Sequence, residues 1–169
     1  LTFIAPANAI RYQNAWPVFI DAEPTYWQMD VEKAIDFLNK ECLWQRGTLI
    51  NRRTKRRVSA VIPVHILGST VDLEPLIDTA RRYELPVIED ASESLGARYQ
   101  DQPVGTIGDI GCLSFNGNKL LTTGGGGMIV TNKQPWADHA SYLVDQAKDD
   151  PVRYFHQEIG YNYRLTNIQ

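Results

Sequence analysis

The chain has 169 residues, enough for one domain with a substantial core. Its 43% hydrophobic and 22% charged residues are ordinary for a globular protein, and a net charge of −3 gives no pull toward nucleic acid or an anionic membrane. No apolar run approaches the roughly 18 residues of a membrane span, and the widely separated Cys42 and Cys112 make neither a zinc site nor a disulfide framework, so a cytoplasmic setting is expected.

Along the chain, strands and helices alternate. Leu1 to Ile4 reads as a buried strand, and Pro6 to Asn14 as a helix with proline near its first turn. Pro17-Val-Phe-Ile-Asp21 reads as a short strand. Asp30 then caps a helix in which Val31, Ala34, Ile35 and Leu38 fall at helical spacing. Residues 41–58 read as two short strands around Asn51 followed by a basic cluster from Arg52 to Arg57. In an acidic chain that cluster is a solvated surface hairpin rather than a nucleic-acid patch.

Ser59 to Val64 is the next strand. Asp72 caps a helix with Leu73, Leu76, Ile77 and Ala80 on one face, and Pro86 to Ile88 is a strand that runs into Glu89 and Asp90. Ile110 to Phe115 and Met128 to Thr131 are strands on either side of a glycine-rich stretch, and Trp136 to Ala147 is helical. Apolar strands separated by amphipathic helices predict an α/β fold of three layers, with a mainly parallel sheet covered on both faces. Ligands in such sheets sit at the carboxyl ends of strands, where Asp90 falls.

The chemistry gathers around Lys119, in Ser114-Phe-Asn-Gly-Asn-Lys119-Leu-Leu-Thr-Thr-Gly124-Gly-Gly-Gly127. Glycines there let backbone approach a ligand closely. A lysine amine and a carboxylate at the mouths of neighbouring strands suit pyridoxal phosphate: the lysine forms a Schiff base, and the acid keeps the ring nitrogen protonated. The glycines are not followed by Lys-Ser or Lys-Thr, so this is no nucleotide phosphate loop, and no Gly-x-Gly-x-x-Gly dinucleotide fingerprint follows a first strand. His65 has no carboxylate or cysteine at metal-ligand spacing, reads as a packed, hydrogen-bonded histidine, and leaves no metal site expected.

Four segments in order, Thr2-Phe-Ile-Ala-Pro-Ala-Asn-Ala9, Val87-Ile-Glu-Asp-Ala91, Gly108-Asp-Ile-Gly-Cys-Leu-Ser-Phe115 with Lys119, and Gly160-Tyr-Asn-Tyr-Arg164, resemble the sugar aminotransferases of the DegT/DnrJ/EryC1/StrS family, which have the fold-type I large domain of pyridoxal phosphate enzymes. The hairpin insertion and Glu93 resemble its legionaminic-acid and perosamine branches. The resemblance implies Lys119 as the Schiff-base lysine, Asp90 as partner of the ring nitrogen, Phe3 stacked on the ring and Glu93 beside it. It also implies Ser114 on the phosphate, with Asn162 reaching the phosphate of a neighbouring subunit, so a homodimer is expected. The implied reaction moves an amino group from an amino-acid donor, typically glutamate, to C4 of a nucleotide-linked 4-keto-6-deoxy sugar for surface polysaccharide or nonulosonic-acid synthesis. Against the family pattern, the chain reads as an incomplete large domain, lacking an upstream phosphate-binding segment and the small domain. Two rival readings are a non-catalytic regulator on the same fold, disfavoured by the presence of Lys119, and a truncated piece with an incomplete site.

Overall fold

The computed structural model describes residues 2–150 and 152–169. Its first element is helix α1 (Ile4–Tyr12), with Pro6 in the first turn, where a missing N–H costs nothing. Ile4 is therefore helical rather than in the expected strand, and Leu1 lies outside the described residues. Phe3 stands before the helix and is 78% exposed, so it is not a core residue. Residues 17–21 form no strand ladder. Instead the Asp30 N–H donates to the Asp21 carbonyl at 2.9 Å and Ala22 bridges Met29, closing a local loop.

Asp30 caps α2 (Val31–Asp36) as its spacing predicts, its Oδ1 accepting the Lys33 N–H at 3.0 Å. The helix widens through a π turn at Phe37–Glu41 and leads into β1 (Cys42–Gln45), antiparallel to β2 (Thr48–Asn51). The reversal is at Arg46 and Gly47, whose φ of 51° and 72° suit a tight hairpin turn, and not around Asn51. Asn51 ends β2 and starts a second turn: its Oδ1 accepts the N–H groups of Arg53 and Thr54, which brings Arg57 back beside Ile50.

Helix α3 (Leu73–Arg82) buries Leu73, Leu76, Ile77 and Ala80, the face its spacing predicts. Asp72 makes no side-chain cap and instead accepts the Tyr99 hydroxyl. There follow β3 (Ile88–Asp90), the small hairpin of β4 (Arg98–Tyr99) and β5 (Gln102–Pro103), β6 (Ile110–Ser114), β7 (Gly127–Val130) and α4 (Gln134–Val144). Helix α4 stops short of Ala147 because Gln146 and Ala147 both turn to positive φ.

The main sheet is mixed. Strand β3 pairs parallel with β6, and β6 pairs antiparallel with β7. On the other side of β3, residues 59–64 join through the parallel bridges Val61–Val87 and Val64–Asp90. An α/β fold with a mainly parallel sheet and an antiparallel edge results. Gly111 is obligatory in β6, because a Cβ there would run into the backbone of Gly105 in the loop that leads into the strand. The core packs Leu38 of the π turn, Leu49 of β2 and Leu73 and Leu76 of α3 against Val71 and Val87. Among the described residues no helix is long and apolar enough to cross a membrane.

Candidate active site

Because β3 and β6 run parallel, their carboxyl ends lie side by side: Asp90 is directly opposite Cys112, and Ser114 ends β6 two residues on. The chain then makes a loop over residues 115–126 and returns as β7, with Gly127 opposite Ser114. The neck of that loop is tied by the Phe115 N–H to the Gly126 carbonyl at 3.0 Å and the Thr123 N–H to the Phe115 carbonyl at 3.1 Å. Gly126 has φ +90°, open to glycine and strained for other residues. Gly127, by contrast, is needed inside β7, where a Cβ would press on the Leu113 carbonyl at 2.6 Å. Strand packing accounts for that glycine without a ligand.

Lys119 sits in this loop, its N–H closing a turn onto the Asn116 carbonyl at 3.0 Å. Its side chain is only 17% exposed, and its Nζ lies 3.4 Å from Glu93 Oε1. The other Glu93 oxygen accepts the Leu67 N–H at 2.9 Å. Sequence reasoning placed Glu93 near the cofactor but missed Leu67 and its neighbour Gln28. Those contacts span 26 and 38 residues and leave no local pattern.

Asp90 and Glu89 are adjacent and face opposite ways, as strand alternation requires. The Asp90 main chain is fixed at both its polar groups by the segment around Val64, donating to the Pro63 carbonyl at 2.9 Å and accepting the His65 N–H at 3.0 Å. Its Oδ1 accepts the Ser92 N–H at 3.1 Å. Among the described residues no lysine, arginine or histidine forms an ion pair with it. Burial pushes the neighbouring Cys112 thiol pKa up, and the negative charge of Asp90 adds to the rise.

Glu89 is wholly buried and accepts the N–H groups of Gly105, Ile107 and Gly108 at 2.7, 2.8 and 2.6 Å, with His65 Nε2 at 3.1 Å. Burial alone would raise its pKa, but the hydrogen bonds from His65 and the three amides outweigh it and hold the carboxyl below its usual range. Glu89 is thus committed to the fold and Asp90 is left to the site. His65 is the packed, hydrogen-bonded histidine expected of it.

The structure brings Lys119 and Glu93 together and sets Asp90 and Ser114 on adjoining strand ends. The Ser114 hydroxyl accepts the Asn116 N–H at 3.4 Å. Among the described residues no hydrogen bond or ion pair ties Phe3 or Asn162 to this cluster: Phe3 is exposed before α1, and Asn162 is exposed beyond α4, bridged to Asp145. A cavity of about 230 Å³ between α3 and the β4–β5 hairpin, lined by Glu74, Asp78, Arg81 and Tyr99, contains none of these residues. Among the described residues no three His, Cys, Asp or Glu side chains are grouped to hold a metal. A primary amine, a carboxylate and a hydroxyl at the carboxyl end of one sheet match the aldehyde, ring nitrogen and phosphate of pyridoxal phosphate, so the residues present fit that group.

The profile of the DegT/DnrJ/EryC1/StrS aminotransferase family matches residues 1–169. The chain belongs to that family. Its members are pyridoxal phosphate-dependent aminotransferases. Among relatives of this DegT-family chain, the GDP-perosamine synthase of Caulobacter vibrioides is 41% identical over 100% of the chain and 41% of its own length. The GDP-perosamine synthase of Escherichia coli O157:H7 is 39% identical over 99% of the chain and 42% of its own length. The chain therefore spans about 40% of the length of these relatives. Among solved structures, a DegT DnrJ EryC1 StrS aminotransferase from Brucella abortus superposes with a TM-score of 0.87 at 29% identity, covering 99% of this chain and 43% of that one. Helicobacter pylori PseC, an aminotransferase of pseudoaminic acid biosynthesis, gives 0.82 at 25% identity, over 99% of this chain and 41% of its own. The α/β architecture is that of the large domain of these aminotransferases.

Proposed function

We propose that these residues form part of the large domain of a longer pyridoxal phosphate-dependent enzyme that aminates C4 of a nucleotide-linked 4-keto-6-deoxy sugar, with an amino acid such as glutamate as donor. The observation that carries this reading is the half-buried Lys119 amine in a loop at the joined carboxyl ends of β3 and β6, where Asp90 stands free of any cationic partner among the described residues. Similarity to the GDP-perosamine synthases supports a nucleotide-sugar substrate. A cytoplasmic setting fits such a substrate.

Bound pyridoxal phosphate supplies an electrophilic carbon and an electron-withdrawing ring. Lys119 would hold the cofactor through its amine, and when free it is the group placed to carry a proton to and from the substrate carbon. Asp90 would keep a proton on the ring nitrogen, its own position fixed by backbone bonds to Pro63 and His65. Ser114 would hold the phosphate, joined by Asn162 from a partner subunit in a homodimer, and Phe3 and Glu93 would flank the ring.

Borohydride reduction of the protein loaded with pyridoxal phosphate, followed by peptide mass mapping, tests the assignment. The pyridoxyl adduct is expected on the Lys119 peptide. An adduct on Lys133 or Lys148 instead overturns it. Lys133 is already engaged, its Nζ 2.6 Å from Asp109 and 4.2 Å above the Trp136 ring.

A further inference from the structure

Glu93 does not hold Lys119 alone. Its two carboxylate oxygens are divided: Oε1 faces the Lys119 amine at 3.4 Å and Oε2 accepts the Leu67 N–H at 2.9 Å. A glutamate has three side-chain torsions, so the bond to Leu67 is what stops it swinging away from the amine. The Leu67 N–H points at Glu93 because Leu67 takes a left-handed conformation, φ 55° and ψ 30°, beside Gly68 at φ 82°. Leucine is disfavoured there, and such conformations persist only where the surroundings enforce them.

The enforcing group is Gln28. It is 4% exposed, and it clamps Ile66 from both sides: its Oε1 accepts the Ile66 N–H at 3.0 Å and its Nε2 donates to the Ile66 carbonyl at 3.2 Å. The same Nε2 also donates to the Tyr26 carbonyl at 3.2 Å, tying the clamp to its own loop. The Ile66 carbonyl accepts a second bond from the Ser69 N–H at 3.0 Å, which closes the turn. A buried amide that satisfies both polar groups of one residue fixes that residue's peptide planes, and hence the direction of the next N–H.

We infer that Gln28 is a positioning residue for Lys119: it locks the 66–68 turn, the Leu67 N–H anchors Glu93, and Glu93 aims the lysine amine. The inference rests on the reading of Lys119 as the cofactor lysine for its functional meaning, but the relay itself needs no cofactor.

Competitive acetylation of the cofactor-free protein reads the relay directly, comparing the labelling rate of the Lys119 peptide with that of the exposed Lys55. Replacing Glu93 by Gln frees the amine, and labelling of Lys119 rises severalfold. Gln28→Met, close in size and without the amide, raises it in the same direction by a smaller factor. The double variant reacts no faster than Glu93→Gln alone, because Gln28 acts only through Glu93. A purely structural Gln28 would instead give additive effects. Should Gln28→Met fail to fold by circular dichroism, Gln28→Asn, one methylene too short to span Ile66, carries the same expectation. Unchanged Lys119 labelling in a folded Gln28 variant, or additivity in the double variant, overturns the relay. A pyridoxyl adduct on another lysine, with the relay intact, would sink the cofactor assignment alone.

Discussion

Glu89 and His65 face each other at 3.1 Å with neither side chain exposed to solvent. His65 Nδ1 accepts the Val71 N–H at 3.1 Å, so its ring proton is on Nε2 and donates to the carboxylate. One carboxylate thereby gathers the 105–108 loop, the segment that follows residues 59–64 and β3 itself. Since Asp90 is the next residue, this cluster fixes the strand end from which Asp90 projects.

Glu89→Gln should therefore cost stability, on the order of 3 kcal/mol, because an amide NH₂ would face backbone N–H donors inside the core. The pH dependence has a definite sign. Glu89's folded pKa lies below its ordinary value of 4.5, so its contribution is complete above that pH and is lost as the pH falls through the lower folded value. Urea unfolding at stepped pH should show a steep acid limb in the wild type and a flatter one in Glu89→Gln. Equal slopes would show that other carboxylates govern acid unfolding.

Asp90→Asn tests the other carboxylate. The neutral amide cannot hold a proton on the ring nitrogen, so amino transfer in the longer enzyme should fall by about a hundredfold or more. Covalent attachment of the cofactor at Lys119 should survive. Turnover near the wild-type rate would pass the role to another group, with Glu93 the first to examine, since Glu89 is fully occupied by the fold.

The same substitution has a readout that needs no cofactor. The charge of Asp90 adds to the rise that burial gives the Cys112 thiol, and removing it lowers the thiol's pKa part of the way back. Alkylation of Cys112 by iodoacetamide at mildly alkaline pH should be faster in Asp90→Asn than in the wild type. No change in rate would mean that burial alone controls this thiol.

Asn162 offers a test of assembly. It stands apart from Lys119 in the chain, exposed beyond α4, as a residue serving a neighbouring subunit would. Mixing Lys119→Ala and Asn162→Ala forms of the longer enzyme should restore roughly a quarter of full activity: half the dimers are mixed, and each has one intact composite site. A mixed dimer confirmed by mass with no activity would confine Asn162 to its own subunit's site, and full activity in Asn162→Ala alone would leave it no role.

Local pattern in the sequence determined much of this protein. The buried face of α3, the cap of α2 by Asp30, the strands around Asp90 and Ser114 and the loop bearing Lys119 all follow from spacing and turn chemistry, because each is settled by neighbours a few residues away. The strand expected over residues 17–21 did not form, since a strand needs a partner ladder and none lies beside it. The hairpin turn fell at Arg46-Gly47 rather than around Asn51, where the asparagine drives a second turn of its own. Only the tertiary structure decided which carboxylate is buried in the fold and which is left to the site, and only it joined Gln28 to Glu93 through the turn at Leu67. Those are contacts between segments far apart in the chain, where the direction of a single N–H depends on packing that no local run of residues records.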